Sequence, residues 1–128
     1  MHILPLYAAI LALLFLFLSI HTIRLRRTLR IGVGDGGNSL MLRAMRVHAN
    51  FAEYVPFTLI LLGMLELRSA QNWVIHILGI TLCLGRCLHA YGVSQSKENY
   101  RFRISGMMMT FAVIACSAIL LFFSYLQK

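Results

Sequence analysis

Charge is what this sequence has least of. Asp, Glu, Lys and Arg make up 12% of its 128 residues, against about 25% in an ordinary soluble domain. Acids are scarcest: Asp35, Glu53, Glu66 and Glu98 are all there are. With 59% hydrophobic residues and a mean hydropathy of +0.77, a soluble fold would lack the polar surface to cover its leucine and isoleucine. The same excess excludes a disordered chain. Cysteine is sparse and odd in number, and Cys83, Cys87 and Cys116 all stand within apolar runs, so no disulfide framework is expected. Cys83 and Cys87 are spaced i, i+4 with His89 nearby, but cysteines in such company read as small hydrophobes, and no metal site is assigned. There is no internal repeat and no low-complexity tract. The length admits one domain, and lipid is the solvent that suits it.

The few charges are lopsided, 12 basic against 4 acidic for a net +8. In a soluble protein that balance raises nucleic acid as a partner. Here the basic residues gather at the ends of apolar runs and no solvated basic domain exists to carry them, so nucleic acid is set aside and the charges are read as orienting the chain in a membrane.

A hydrocarbon core about 30 Å thick takes about 20 helical residues to cross, and the apolar runs fit four crossings, over 3–28, 39–66, 73–94 and 101–126. The first run is followed, not preceded, by its basic flank (Arg24, Arg26, Arg27, Arg30) and offers no small-residue cleavage site, so a retained span is expected in place of a cleaved leader. The glycine-rich segment GVGDGGN (32–38) ends in Asn38-Ser39, good N-cap residues for the second helix. Gly32, Gly34 and Gly37 are spaced loosely like a dinucleotide loop, but no strand precedes them, and a turn between helices is the reading taken. Pro56 falls inside the second span, where a membrane helix tolerates it. Trp73 opens the third span as an interfacial aromatic. Four spans put both termini on one side. The first polar loop and its flanks carry Arg24, Arg26, Arg27, Arg30, Arg43 and Arg46, the third carries Lys97, Arg101 and Arg103, and the second sets Arg68 against Glu66. Positive charge marks the cytoplasmic side, so both termini are expected to face outward.

The stretch with most chemistry is LRAMRVHANFAEYVPF (42–57). At about 100° per residue, Arg43, Arg46, Asn50 and Glu53 share an arc of about 80° with Tyr54 beside them, descending about 15 Å into the membrane. His48 points to another face. An ionised group at membrane depth costs roughly 2.5–3.5 kcal/mol on the insertion scale, so these side chains must face protein. A plainer reading has Arg46, Asn50 and Glu53 satisfying one another as packing glue. Two arginines, an amide and a carboxylate on one face, with Arg86 and His89 a turn apart on the next span, are more charge than packing needs. A cavity for a charged ligand follows. Its guanidinium forks suit carboxylates, its carboxylate an ammonium group and its amide a peptide group. A small zwitterionic peptide, a dicarboxylate or a phosphorylated headgroup all match.

The spacing Arg43-x-x-Arg46-x-His48-x-Asn50-x-x-Glu53-x-x-Pro56-Phe57 resembles the second-helix signature of the MAPEG family, the membrane-associated proteins of eicosanoid and glutathione metabolism. The GDGG turn and LGRCLHAYG (84–92) are similar to its bacterial branch, and the likeness covers nearly the whole chain. It implies an all-α integral membrane four-helix bundle in a bacterial inner membrane. It also implies assembly as a homotrimer, with a glutathione site at each subunit interface facing the cytoplasm. On matching positions Arg46, Asn50 and Glu53 would hold glutathione, with Arg43 at the mouth, Tyr54 beside it and Arg86 and His89 as the third-span Arg-x-x-His. An arginine near the end of the first span would join them, and Arg24, Arg26 and Arg27 all fit, Arg26 standing for the group. Some members carry a tyrosine four residues after that histidine; this chain has Val93, and Tyr91 lies about 200° around the helix from His89.

In catalytic members an arginine at the start of the fourth helix stabilises the thiolate. Arg103 and Arg101 both stand there, about 200° apart; Arg103 is favoured because Gly106 and Thr110 continue its stripe as a small-residue face. A snorkelling anchor at the interface is the alternative role for either. The resemblance thus implies a glutathione transferase-like protein, with glutathione as co-substrate, that conjugates the thiolate to, or reduces peroxides of, lipophilic substrates arriving from the bilayer. The alternative is a non-catalytic lipid- or glutathione-binding scaffold of the same fold. A small transporter built on Glu53 is a third reading, opposed by the arginines crowding that carboxylate.

Overall fold

Backbone polar groups in hydrocarbon have no water to bond, so a chain this apolar satisfies them within each segment as helix. A computed structural model describes residues 2–95 and 99–127, and among these there are four helices and no strand. They are α1 (Leu4–Leu29), α2 (Ser39–Leu67), α3 (Asn72–Ser94) and α4 (Tyr100–Leu126). All four are long and apolar enough to cross a membrane. Lys97 and Glu98, counted above in the third polar loop, lie outside the described residues. The protein is an all-α four-helix membrane bundle.

Local chemistry sets the helix ends. Pro5 sits in the first turn of α1, where its missing N–H is no loss. Ile3, at the N-cap, offers no side-chain cap; instead the Glu66 carboxylate, from the far end of α2, accepts from the N–H of Ile3 and, at 3.0 Å, from that of Leu4. Exposed His2 lies 3.4 Å from the other carboxylate oxygen. This cap across the bundle holds the start of α1 against the end of α2. Glu66→Ala is expected to lower unfolding stability in detergent by about 1–2 kcal/mol, the range for a lost N-cap; thermal unfolding that leaves the midpoint unchanged would show that the contact contributes nothing.

At the other end of α1, Arg30 takes the left-handed conformation and the chain turns through Gly34, Gly36 and Gly37, all at positive φ, a run that other L-residues would adopt only under strain. Asn38 then caps α2, its Oδ1 accepting from the N–H groups of Leu40 (3.0 Å) and Met41 (3.1 Å). Helix α2 continues through Pro56 to Leu67.

Helix α2 packs against all three others, α1 and α4 each lie against α2 and α3, and among the described residues α1 and α4 do not meet. The core is built by Leu11, Leu18, Val47, Phe51, Leu62, Ile75, Leu82 and Val113. Large apolar side chains such as Leu13, Phe17, Ile60 and Phe122 point outward, as lipid allows and water would not. The closest helix pair is α3 with α4, and glycine is the reason. A Cβ on Gly106 would press on the Gly85 carbonyl oxygen and lie 2.6 Å from His89 N, while one on Gly92 would lie 2.6 Å from Arg103 N. Small residues let the two backbones touch, and that contact brings His89 and Arg103 to one place.

Candidate ligand-binding site

Where α2 begins, α3 ends and α4 begins, the bundle opens into a cavity of about 340 Å³ lined by Ser39, Leu42, Arg43, Arg46, Asn50, His89, Val93 and Arg103. That volume is at the lower end of the range for small-molecule sites, about 300–1,000 Å³. Helical spacing accounts for the α2 wall. Residues 39, 43, 46 and 50 fall on one stripe, and the side chains descend from the capped first turn toward the bilayer interior. Arg43 Nη1 donates to the carbonyl oxygen of Gln95 at 2.8 Å, which ties the rim to the link between α3 and α4. Arg46 is exposed on the open side, and Asn50 lies deeper and is half-buried.

Beneath the cavity is the least ordinary group in the molecule. Arg86 is 0% exposed. Its Nη2 donates to Asn50 Oδ1 at 2.7 Å and lies 3.2 Å from His89 Nδ1, its Nη1 is 3.8 Å from the Met107 sulfur, and its carbon centre sits 5.6 Å from the centroid of the Phe51 ring. Among the described residues its Nε has no hydrogen-bond partner. A guanidinium taken out of water normally requires a carboxylate or several good acceptors; here the described structure offers an amide, an imidazole and an aromatic face. Together with Arg43, Arg46 and Arg103, it surrounds the cavity with positive charge, and no carboxylate appears among the described lining residues. An arrangement of this charge suits an anion.

The other candidates lie elsewhere. Glu53 is exposed and does not line the cavity: of the four residues on the α2 arc it lies furthest round from Arg43. The Tyr54 ring stands against Phe111, centroids 5.5 Å apart. Arg26 donates to the Gly34 carbonyl at 2.8 Å and, with Arg27, Arg30, Ile23, Ile31 and Gly32, lines a separate hollow at the end of α1; Arg24 is exposed. Arg103 lines the cavity and the exposed Arg101 does not. His48 turns to α1, with Nε2 3.0 Å from Ser19 Oγ and its ring stacked on Phe15. Ser39 and Leu42 join the wall without having been singled out from sequence; each stands four residues before an arginine of the stripe, which was the available signal. The contact of Arg86 with Asn50 had no such signal, because it joins two helices.

The MAPEG family model matches residues 4–123. A protein of Escherichia coli strain K12 described as "Inner membrane protein YecN" is 39% identical over 109 residues, covering 85% of this chain and 82% of its own length. The protein of the same description from Escherichia coli O6:H1 aligns with the same figures.

Proposed function

The chain belongs to the MAPEG family and is an integral inner-membrane protein, and from that premise we propose that the cavity binds glutathione and activates its thiolate for conjugation to lipophilic electrophiles. The observation that carries this reading is the group of Arg43, Arg46, Arg86 and Arg103 around or beneath one cavity with no described carboxylate lining it. Glutathione brings two carboxylates, peptide carbonyls and a sulfur that becomes a third anion. Arg43 and Arg46 take the carboxylates in charge-assisted bonds, Asn50 and His89 complete the wall, and Arg103 faces the sulfur.

A free thiol titrates near about 8.5, so at neutral pH most of it is in the unreactive form. Bringing it to neutrality takes about 2 kcal/mol, which one guanidinium in a partly dry site supplies. The thiol proton leaves to solvent, the sulfur attacks the electrophilic carbon of the second substrate, a C–S bond forms and the leaving group departs with its electron pair. The lipid-facing exterior is the route by which an apolar substrate reaches the sulfur.

The arginine bias supports a cavity on the cytoplasmic side with both termini outside. Glu53, exposed at membrane depth on the open edge beside Arg46, costs several kcal/mol unless covered. A homotrimer in which a neighbouring copy closes that edge supplies the cover, brings Glu53 to the glutathione ammonium group and lets Arg26 or a neighbouring first-helix arginine reach in from the next copy. Val93, standing in the wall where some family members have a tyrosine, favours one alternative: a scaffold of the same fold that binds lipid or glutathione without catalysis.

Purified protein titrated with glutathione and then given an activated aryl chloride distinguishes these. The expected result is a saturable thiolate absorbance and conjugation above the buffer rate, with Arg46→Ala weakening glutathione binding by about 10-fold or more, the value of a lost charged hydrogen bond. Lipid binding without a thiolate signal selects the scaffold, and no glutathione saturation at all rejects the proposal.

A further inference from the structure

The end of the bundle remote from the arginine-lined cavity holds a second hollow, of about 290 Å³, where α2 ends, α3 begins and α4 ends. Its lining is graded. Arg68, Gln71 and Gln127 stand just beyond the helix ends, and Leu65, Val74 and Phe123 line it about one turn further in along the same helices. Polar groups at the helix ends over an apolar floor repeat the gradient of the bilayer interface. The one tryptophan of the chain marks that level: Trp73, 60% exposed, stands in the first turn of α3 as interfacial aromatics do.

The charge in this hollow is held in place and is not balanced by an acid. Beyond α2 the chain closes a Schellman turn. The Ser69 N–H donates to the Glu66 carbonyl at 3.0 Å and the Ala70 N–H to that of Leu65 at 3.1 Å, with Ser69 at a φ of 59°, the left-handed conformation this turn uses. Arg68 Nη2 donates to the Ser124 carbonyl oxygen in the last turn of α4 at 3.2 Å, so the guanidinium bridges two helix ends. Among the described residues no carboxylate lines the hollow. Glu66, two residues before Arg68, points about 200° away around α2 and is committed to the N–H groups of Ile3 and Leu4. Arg68 has donors beyond the one given to Ser124. Gln71 accepts from Trp73 Nε1 through its amide oxygen, which ties the indole to the hollow.

We propose that this hollow seats the headgroup of an anionic glycerophospholipid, with its phosphate on Arg68 and its acyl chains along Leu120 and Phe123, which are 40% and 56% exposed on α4. A phosphate diester takes charge-assisted bonds from a guanidinium. The choline or ethanolamine of a zwitterionic lipid would need a carboxylate that the described lining lacks. The volume lies just under the roughly 300 Å³ at which small-molecule sites begin, enough for a headgroup whose tails stay in the bilayer. A soluble anion gains nothing from the apolar floor, whereas a lipid uses both parts of the lining. Basic pockets between membrane helices hold anionic headgroups in the same way. The site is independent of the glutathione reading, because the two cavities lie at opposite ends of helices about 35 Å long.

Trp73 supplies the test. The protein is reconstituted in phosphatidylcholine vesicles containing a minor share of phosphatidylglycerol, one or the other lipid carries brominated chains, and quenching of the tryptophan is read. Bromine quenches only at short range, so lipids gathered by the arginines at the far end of the bundle do not contribute. Phosphatidylglycerol is expected to be preferred beside Trp73 by about 10-fold, the value of a charged hydrogen bond, and Arg68→Gln is expected to bring the ratio to about 1. Arg68 is exposed, so that variant keeps the fold, and an unchanged emission spectrum without brominated lipid checks this. Equal quenching of the wild type by the two lipids makes Arg68 an interfacial anchor and overturns the proposal. A preference that survives in Arg68→Gln overturns it too, as does one that inorganic phosphate in excess abolishes, which would mark a site for soluble anions.

Discussion

On the function proposed above, Arg103→Ala is expected to lower the rate of glutathione conjugation at saturating substrate by about 100-fold, the usual loss when one preorganised donor to a developing anion is removed, while the dissociation constant for glutathione changes by less than about threefold. The split follows from position. Arg43, Arg46 and Asn50 line the α2 side of the cavity and, on the function proposed above, carry the binding contacts to the carboxylates and peptide groups. Arg103 enters the same cavity from the first turn of α4, and the function proposed above assigns it to the sulfur. An interaction that strengthens only as the thiolate forms acts on the chemical step and leaves ground-state affinity nearly untouched. The thiolate absorbance of bound glutathione should fall in parallel, so rate and spectrum check each other. Arg101→Ala, two residues before the cavity arginine and about 200° around the helix from it, is the control and should stay within about twofold of wild type. Full activity in Arg103→Ala would reassign the sulfur contact.

The second large effect is structural. Gly106→Leu is expected to lose about 3 kcal/mol of unfolding stability or more, the upper part of the range for overpacking a close contact, and to lose glutathione binding with it. The two nearest atoms that an added side chain meets are backbone, the Gly85 carbonyl oxygen and His89 N at 2.6 Å, followed by His89 Cβ at 2.8 Å. Backbone in a helix cannot step aside as a flexible side chain can, so α3 and α4 must separate, and His89 parts from Arg103. Gly32→Ala, where an added Cβ meets nothing within 4 Å, should stay within about 0.5 kcal/mol. Denaturation in detergent followed by circular dichroism measures both. Equal stability of Gly106→Leu and wild type would mean that the helix contact is looser than described.

Much of the architecture was legible in the sequence because its signals are local. Apolar runs of bilayer length define helices, since no other open backbone survives in hydrocarbon. Asn38 reads as a cap because its short side chain reaches N–H groups two and three residues on. The stripe of Arg103, Gly106 and Thr110 follows from helical rotation, and in the structure Gly106 and Thr110 are buried while Arg103 lines the cavity. Arg43, Arg46 and Asn50 share a wall for the same reason.

What was illegible joins residues far apart in the chain. Glu66 caps a helix whose first residue lies 62 positions away, and nothing near Glu66 announces it. Periodicity put Glu53 on the polar arc, but an arc of about 80° is wide enough that one edge faces the cavity and the other faces away, and only the placement of α3 and α4 decides where the boundary falls. Arg86 and His89 are visible as a pair a turn apart; that the guanidinium reaches across to Asn50 depends on how far α2 stands from α3.

By itself the sequence determined the solvent, the number of helices long enough to cross it and the positive character of the polar face, because each follows from composition or from spacing within one helix. The tertiary structure decided which arginines share a cavity, which acid stays outside it, and that a buried cation on α3 reaches an amide on α2. Those outcomes depend on distances between helices, and here the distances are set by glycines whose missing side chains let α3 and α4 close on each other.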